Sequence, residues 1–330
     1  MPETIDGSDR RTWLGKLAAV FAGAAALKTR KAQAQQAAPS AALFDGFKTE
    51  KVETTGATIH VVTGGQGPPL LLLHGHPQSH AEWHKIAPAL AREFTLVMAD
   101  LRGYGDSSKP PDGDNHVNYS KRAMALDQVE VMKHFGFDRF AVVGHDRGGR
   151  VAHRMALDHP DRVTKLAVID IVPTYKLFHS VTKEFATAYY HWFFLIQPAP
   201  FPETLIGNSI EYFMQRSFGA LMPRAVTPEA YAEYLRCFNN PATIHAACED
   251  YRAAATIDLD HDQADLDHKI ACPLLALWAE RGAMHRMFDV LGTWRERAAD
   301  VRGKALPGGH FLPEEVPDQV LAEFRAFFRS

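Results

Sequence analysis

The chain has 330 residues, 46% of them hydrophobic and 23% charged, an ordinary soluble globular composition able to bury one large core or two modest ones. Its 36 Lys and Arg against 39 Asp and Glu leave a net charge of −3 with no basic stripe, which excludes a nucleic-acid partner and makes any preference for anions a local matter. Cys237, Cys248 and Cys272 are odd in number and lack CxxC spacing, so they read as buried thiols, neither a disulfide framework nor a metal site.

In chain order, Asp9-Arg10-Arg11-Thr12-Trp13-Leu14 leads into the apolar run Leu17 to Leu27, a basic step at Lys28-Thr29-Arg30-Lys31 and the small-residue site Ala32-Gln33-Ala34. This order over 1–41 resembles a twin-arginine export signal and linker, which implies a periplasmic destination; the alternative is a frayed amphipathic N-terminus on a cytoplasmic enzyme. The apolar run is too short to span a bilayer, so no stable membrane insertion is expected.

From about Ala42, apolar runs that predict strands lie at Ile59 to Thr63, Leu70 to His74, Leu96 to Ala99, Phe140 to Gly144, Leu166 to Ile169, Leu274 to Trp278 and Gly303 to Leu306. Several lack polar alternation, as strands covered on both faces do. Helix-like pieces fall between them at Ala81 to Arg92, Lys121 to Phe135 and Gly149 to Asp158, a rhythm that predicts an α/β architecture with a mostly parallel sheet. Gly64-Gly65-Gln66-Gly67-Pro68-Pro69 joins strand to strand with no helix, which predicts a hairpin turn, not a phosphate loop. The rhythm stops near Thr174, gives way to aromatic-rich helical sequence and resumes at Cys272. The organisation is therefore a first core part at 42–174, an inserted helical cap at 175–262 and a second core part at 263–330, the cap lying over the carboxyl ends of the strands.

Gly144-His145-Asp146-Arg147-Gly148, after a strand and before a helix, has the spacing of a nucleophile elbow, with Asp146 where a serine hydrolase carries Ser. Alone, the string also describes a helix N-cap aspartate. Its company decides: His74-Gly75-His76-Pro77 follows one strand where an oxyanion loop belongs, Asp170 ends another, and Gly308-Gly309-His310 follows the last, giving the order nucleophile, acid, histidine.

These segments, with HGHPQSHAEWH (74–84), ADLRGYGDSSKP (99–110), IDIVPTY (169–175), YYHWFFLIQPAP (189–200), EDYRA (249–253) and GGHFLPEE (308–315), resemble the aspartate-nucleophile α/β hydrolases, and among them the fluoroacetate (haloacetate) dehalogenases. The resemblance runs from about Leu70 to Pro317. It implies an α/β-hydrolase fold, a cofactor-free and metal-free enzyme, a haloacetate substrate with water, and a possible homodimer. It further implies His191, Trp192 and Tyr251 as the halide pocket; without it, Tyr189 to Leu195 is an aromatic helix packed on the core.

Residue chemistry points the same way. Displacement at a saturated carbon needs a nucleophile already ionised at neutral pH, which Asp, with a reference pKa of ~3.9, supplies. His310 would then activate water against the resulting ester, Asp170 would orient its ring, and the backbone N–H groups of His76 and Arg147 would form the oxyanion hole. Arg147 and Arg150, one and four residues past Asp146, suit bidentate capture of a substrate carboxylate; the plainer reading makes one of them a surface or salt-bridging arginine. His76 stands where relatives usually carry an apolar aromatic, and Glu280 is the runner-up acid. The rival functions are an epoxide hydrolase or haloalkane dehalogenase of the same fold, and a non-catalytic ligand-binding member.

Overall fold

The computed structural model describes residues 43–329, so the export-like segment at 1–41 lies outside the described residues. An eight-stranded sheet has the order β1-β2-β4-β3-β5-β6-β7-β8. Its strands are β1 (Lys48–Glu53), β2 (Thr58–Gly64), β3 (Pro69–Leu73), β4 (Thr95–Ala99), β5 (Phe140–His145), β6 (Val163–Ile169), β7 (Leu274–Ala279) and β8 (Val301–Leu306). Strand β2 runs antiparallel to both neighbours, and from β4 to β8 the pairing is parallel.

The central strands are apolar throughout because both faces are covered. In β3, Leu71 and Leu73 enter one hydrophobic cluster with Val97, Val142 and Met155, while Leu70 and Leu72 enter the other with Trp83, Met98 and Val143. Each such leucine contributes on the order of 1.5–3 kcal/mol by leaving water. The helices that position the site are α1 (Lys121–His134), α2 (Asp146–Asp158), α3 (Tyr190–Leu195), α4 (Ile210–Phe218), α5 (Pro228–Phe238) and α6 (Pro241–Ala255). Helical sequence from Thr174 to Ala264 separates β6 from β7.

Local expectations fail at identifiable points. The sequence predicts a hairpin at 64–69, but β4 lies between β2 and β3, so this loop crosses over another strand. Its glycines serve that crossing: Gly65, at φ 87°, has no room for a Cβ, which would lie 2.2 Å from the Phe94 carbonyl oxygen. The helix predicted over 81–92 is split into a 3-10 turn at His80–Lys85 and a short helix at Ala87–Leu90, because Pro88 has no N–H to continue the ladder. Strand β1 carries no apolar alternation, only Val52 being buried, and escapes a hydrophobicity-based reading.

Candidate active site

The strand ends converge on one cavity. Asp146 follows β5 directly at φ 43°, a left-handed conformation that lifts its carboxylate out of the line of α2. The glycines around it are obligatory: a Cβ on Gly144 would lie 2.3 Å from the Gly148 carbonyl oxygen, and one on Gly148 would lie 2.3 Å from that of Leu73. The Gly148 N–H donates to the His74 carbonyl at 2.9 Å and ties the elbow to the loop after β3. From that loop the His76 N–H donates to Asp146 Oδ2 at 3.1 Å. Arg147 lies in the first turn of α2, where backbone N–H groups have no intrahelical acceptor.

Asp170, just past β6 and also left-handed at φ 50°, receives the Ala279 N–H on Oδ1 at 2.9 Å and lies 2.6 Å from His310 Nδ1 through Oδ2. Glu280 is exposed, and its N–H is spent on the Leu306 carbonyl. Burial pushes the Asp146 carboxyl up, but His310, Arg150, Arg147 and His145 outweigh burial and hold it below the usual carboxylate range. A buried, ionised carboxylate beside an Asp-oriented imidazole is equipped to attack and then be hydrolysed.

The arginines are neither solvated nor free to offer two forks. Arg147 is wholly buried, with its Nε and Nη2 donating to Asp250 at 2.8 and 2.7 Å. Among the described residues only Nη1 lacks a partner. Asp250 also accepts the Tyr104 hydroxyl at 2.7 Å and pairs with Lys121. Arg150 donates Nη1 to the Val172 carbonyl and to Thr174 Oγ1, both at 3.0 Å, leaving Nε without a partner. The expected pair of bidentate clamps is thus corrected to a cluster in which Asp250 holds one fork. Burial and Arg147 lower the Arg150 pKa to about 10, so it stays cationic near neutrality.

The cap residues interleave with these cations. The Arg147 guanidinium lies 4.1 Å from the Tyr251 ring centre, and that of Arg150 lies 4.5 Å from the Trp192 ring centre. Trp192 Nε1 and Tyr251 Oη are buried with no hydrogen-bond partner among the described residues. The His191 and Tyr251 rings meet edge to face at 5.9 Å. Burial drives the His191 pKa down to about 4, leaving a neutral ring. His76 is likewise neutral: burial and then His191 lower it to about 3, and it packs edge-on at 5.3 Å against both Phe238 and Tyr251. It therefore fills an aromatic's place without adding charge.

A cavity of about 310 Å³ is lined by Asp146, Asp170, His310, His76 and His191, with Tyr189, Phe213 and Arg216 from the cap. Arg147, Arg150, Trp192 and Tyr251 are not on that lining and are buried. Elsewhere among the described residues, His60, His80 and Asp100 bring ligand atoms close together, as do Asp112, His245 and Glu249. Asp100 is already taken up by the His80 and Asp106 N–H groups at 2.7 and 2.9 Å and the His80 ring at 2.9 Å, with the His60 ring in ion-pair range at 3.0 Å. In the second group, His245 is committed to Asp112 and Glu203, and Glu249 to Arg252 and His116.

Sequence reading missed Asp250, although it lies beside Tyr251 in the quoted EDYRA segment. A carboxylate on α6 at helical spacing gives no signal of its burial against a cation from another element. It also left Glu82 and His145 without a role.

Comparison with known proteins follows this geometry. A family model described as the alpha/beta hydrolase fold matches residues 68–317. A fluoroacetate dehalogenase from Burkholderia sp is 49% identical over 294 residues, covering 87% of this chain and 97% of its own. A soluble epoxide hydrolase from Corynebacterium sp. (strain C12) is 37% identical, covering 83% and 94%. A crystal structure from Nostoc sp PCC 7120, assigned by its name only to the α/β hydrolases, is 59% identical with a TM-score of 0.84 over 86% of this chain and 98% of that one. With sheet order, elbow and family match in agreement, the chain belongs to the α/β hydrolase fold family.

Proposed function

We propose that the protein hydrolyses haloacetates, fluoroacetate foremost, to glycolate and halide. The observation that carries this reading is an ionised, buried Asp146 set among two buried arginines and two buried donors that lack acceptors. Nη1 of Arg147 and Nε of Arg150 would receive the substrate carboxylate, and Trp192 Nε1, Tyr251 Oη and His191 the departing halide. With Oδ2 held by the His76 N–H, Oδ1 of Asp146 attacks the saturated carbon; the carbon–halogen bond breaks, halide leaves with the bonding pair, and an ester on Asp146 remains.

Water then adds to the ester carbonyl carbon while His310 takes its proton, the charge on the ring being balanced by Asp170. The oxyanion develops on the oxygen facing the His76 N–H, with the Arg147 N–H as second donor, each worth about 3–4 kcal/mol. Collapse expels the glycolate oxygen, which takes the proton back from His310, and Asp146 returns to its carboxylate by losing its proton to solvent; fluoride needs the most help as a leaving group.

The Burkholderia relative's name supports this substrate class, whereas the Corynebacterium relative keeps neutral epoxides in competition. Pairing of Arg147 with Asp250 lowers the net local charge and gives the second reading its footing. Fluoride and chloride release from the two haloacetates, beside diol formation from epoxides, separates them: turnover of epoxides with none of haloacetates contradicts the proposal. Export through residues 1–41 is a further proposal, tested by processed protein in the periplasm of its host, and a homodimer rests on family resemblance, tested by light scattering.

A further inference from the structure

Glu82 and His145 are fully buried and together touch each of the three loops that carry the chemistry. Glu82, in the turn His80–Lys85, accepts the Gly75 N–H on Oε2 at 3.0 Å, one residue before the N–H that holds Asp146. Its Oε1 lies 2.9 Å from Nδ1 of His145, the residue that ends β5 and precedes the nucleophile. His145 Nε2 lies 2.9 Å from the carbonyl oxygen of His310, and the two rings are tilted against each other at 4.7 Å. His145 Nε2 therefore meets a carbonyl, which only an N–H can satisfy, while Nδ1 lies within ion-pair range of the Glu82 carboxylate but out of line for a hydrogen bond. That second contact is attractive only when Nδ1 carries a proton too, which makes the ring a cation.

We propose that Glu82 and His145 are a positioning ion pair that fixes the oxyanion loop, the nucleophile and the general base relative to one another, with Glu82 keeping His145 cationic throughout the working range. The geometry stands apart from the substrate; the activity readout rests on the dehalogenase reading. The titratable groups facing His145 are Glu82 from the 3-10 turn, Asp146 from α2, Asp170 after β6 and Glu314 near the C-terminus, the last held protonated by burial, with His310 packed on its ring. Burial opposes the charge, but Glu82 first, then Asp146 and Asp170, hold the pKa at about 9. The contacts are tight: a Cβ on Gly75 would lie 2.9 Å from His145 Nδ1, so the loop cannot shift to replace a lost bond.

Glu82→Gln keeps the size and an acceptor for Gly75 but removes the negative charge. In that variant kcat for halide release falls about 10- to 100-fold with KM nearly unchanged, the range typical of lost orienting partners. It also gains a limb absent from the wild type, kcat falling as pH rises through ~6.5, the reference imidazole value. A folded Glu82→Gln protein with wild-type kcat and pH profile overturns the proposal.

Independently of activity and of that variant's folding, nitrogen-labelled histidine spectra of the wild-type protein, with the His145 signal identified by its loss in His145→Gln, report both ring nitrogens protonated at neutral pH. A neutral tautomer there overturns the proposal. Absence of halide release by the wild type, with His145 doubly protonated, sinks the dehalogenase reading and leaves the positioning pair standing.

Discussion

The carboxylates at the strand ends and the donors buried beside the cavity are built on opposite rules. At the strand ends the two carboxylates are held: both Asp170 oxygens are engaged, and Asp146 Oδ2 has its backbone donor. By contrast Trp192 Nε1 and Tyr251 Oη from the cap, with Arg147 Nη1 and Arg150 Nε from α2, are buried with no hydrogen-bond partner among the described residues. A buried donor without an acceptor costs about 1–3 kcal/mol, so such a concentration is a strain that an anion would relieve. Carboxylates with partners hold geometry; donors without them are shaped for a ligand.

The largest expected effect breaks the carboxylate side of that comparison. Asp146→Asn removes the nucleophile's charge, and halide release falls by about 10⁴-fold or more, below detection in an ion-selective electrode assay. The arginines follow, and they should separate. Arg150→Ala removes one charged contact to the substrate and raises KM about 100-fold, equivalent to about 2.7 kcal/mol. Arg147→Ala should do this and also lower unfolding free energy by about 3–5 kcal/mol, because it strips a partner from buried Asp250. Urea titration beside the kinetics shows whether the stability losses differ.

Trp192→Phe keeps the ring over Arg150 but deletes the N–H. Fluoride release should fall about 10-fold, with chloride release affected less because chloride leaves with less help. Equal losses for the two halides would assign Trp192 to packing alone.

Smaller effects concern charge. Burial pushes the Glu314 carboxyl up to about 8, against its ordinary value of 4.5. A raised carboxyl binds its proton more tightly in the folded state, so this group's stability is full below 4.5 and is lost as pH rises towards 8. Its partners, Gln78 Nε2 at 2.8 Å and Tyr234 Oη at 3.1 Å, fit an uncharged side chain as well. Glu314→Gln should therefore flatten the alkaline fall in Tm, each ~1 kcal/mol appearing as about 2–4 °C. Smallest is Arg216, exposed on α4 at the cavity wall. Arg216→Ala should reduce kcat/KM about 2- to 5-fold at low salt and scarcely at high salt, as expected of steering.

What the sequence revealed follows the same division. The elbow, the histidine loop and Asp170 were legible because backbone geometry enforces them: only glycine fits at positions 144 and 148, and each candidate catalytic residue follows a strand. Central strands were legible because burial on both faces leaves uninterrupted apolar runs. Strand β1 was not, since an exposed edge strand needs no apolar face. Nor was the crossing of β4 between β2 and β3, because strand order is settled by long-range packing, not by the turn between neighbours in sequence. Asp250 and Glu82 stayed hidden for a related reason: their partners Arg147 and His145 are distant in the chain, and pairing between separate elements leaves no local periodicity.

The central claim is that an Asp146 oxygen, not water, displaces the halide. One turnover of fluoroacetate by excess enzyme in heavy-oxygen water tests it most directly. Unlabelled glycolate, with the heavy oxygen retained in the peptide containing Asp146, is the predicted result; labelled glycolate and an unlabelled peptide would contradict it.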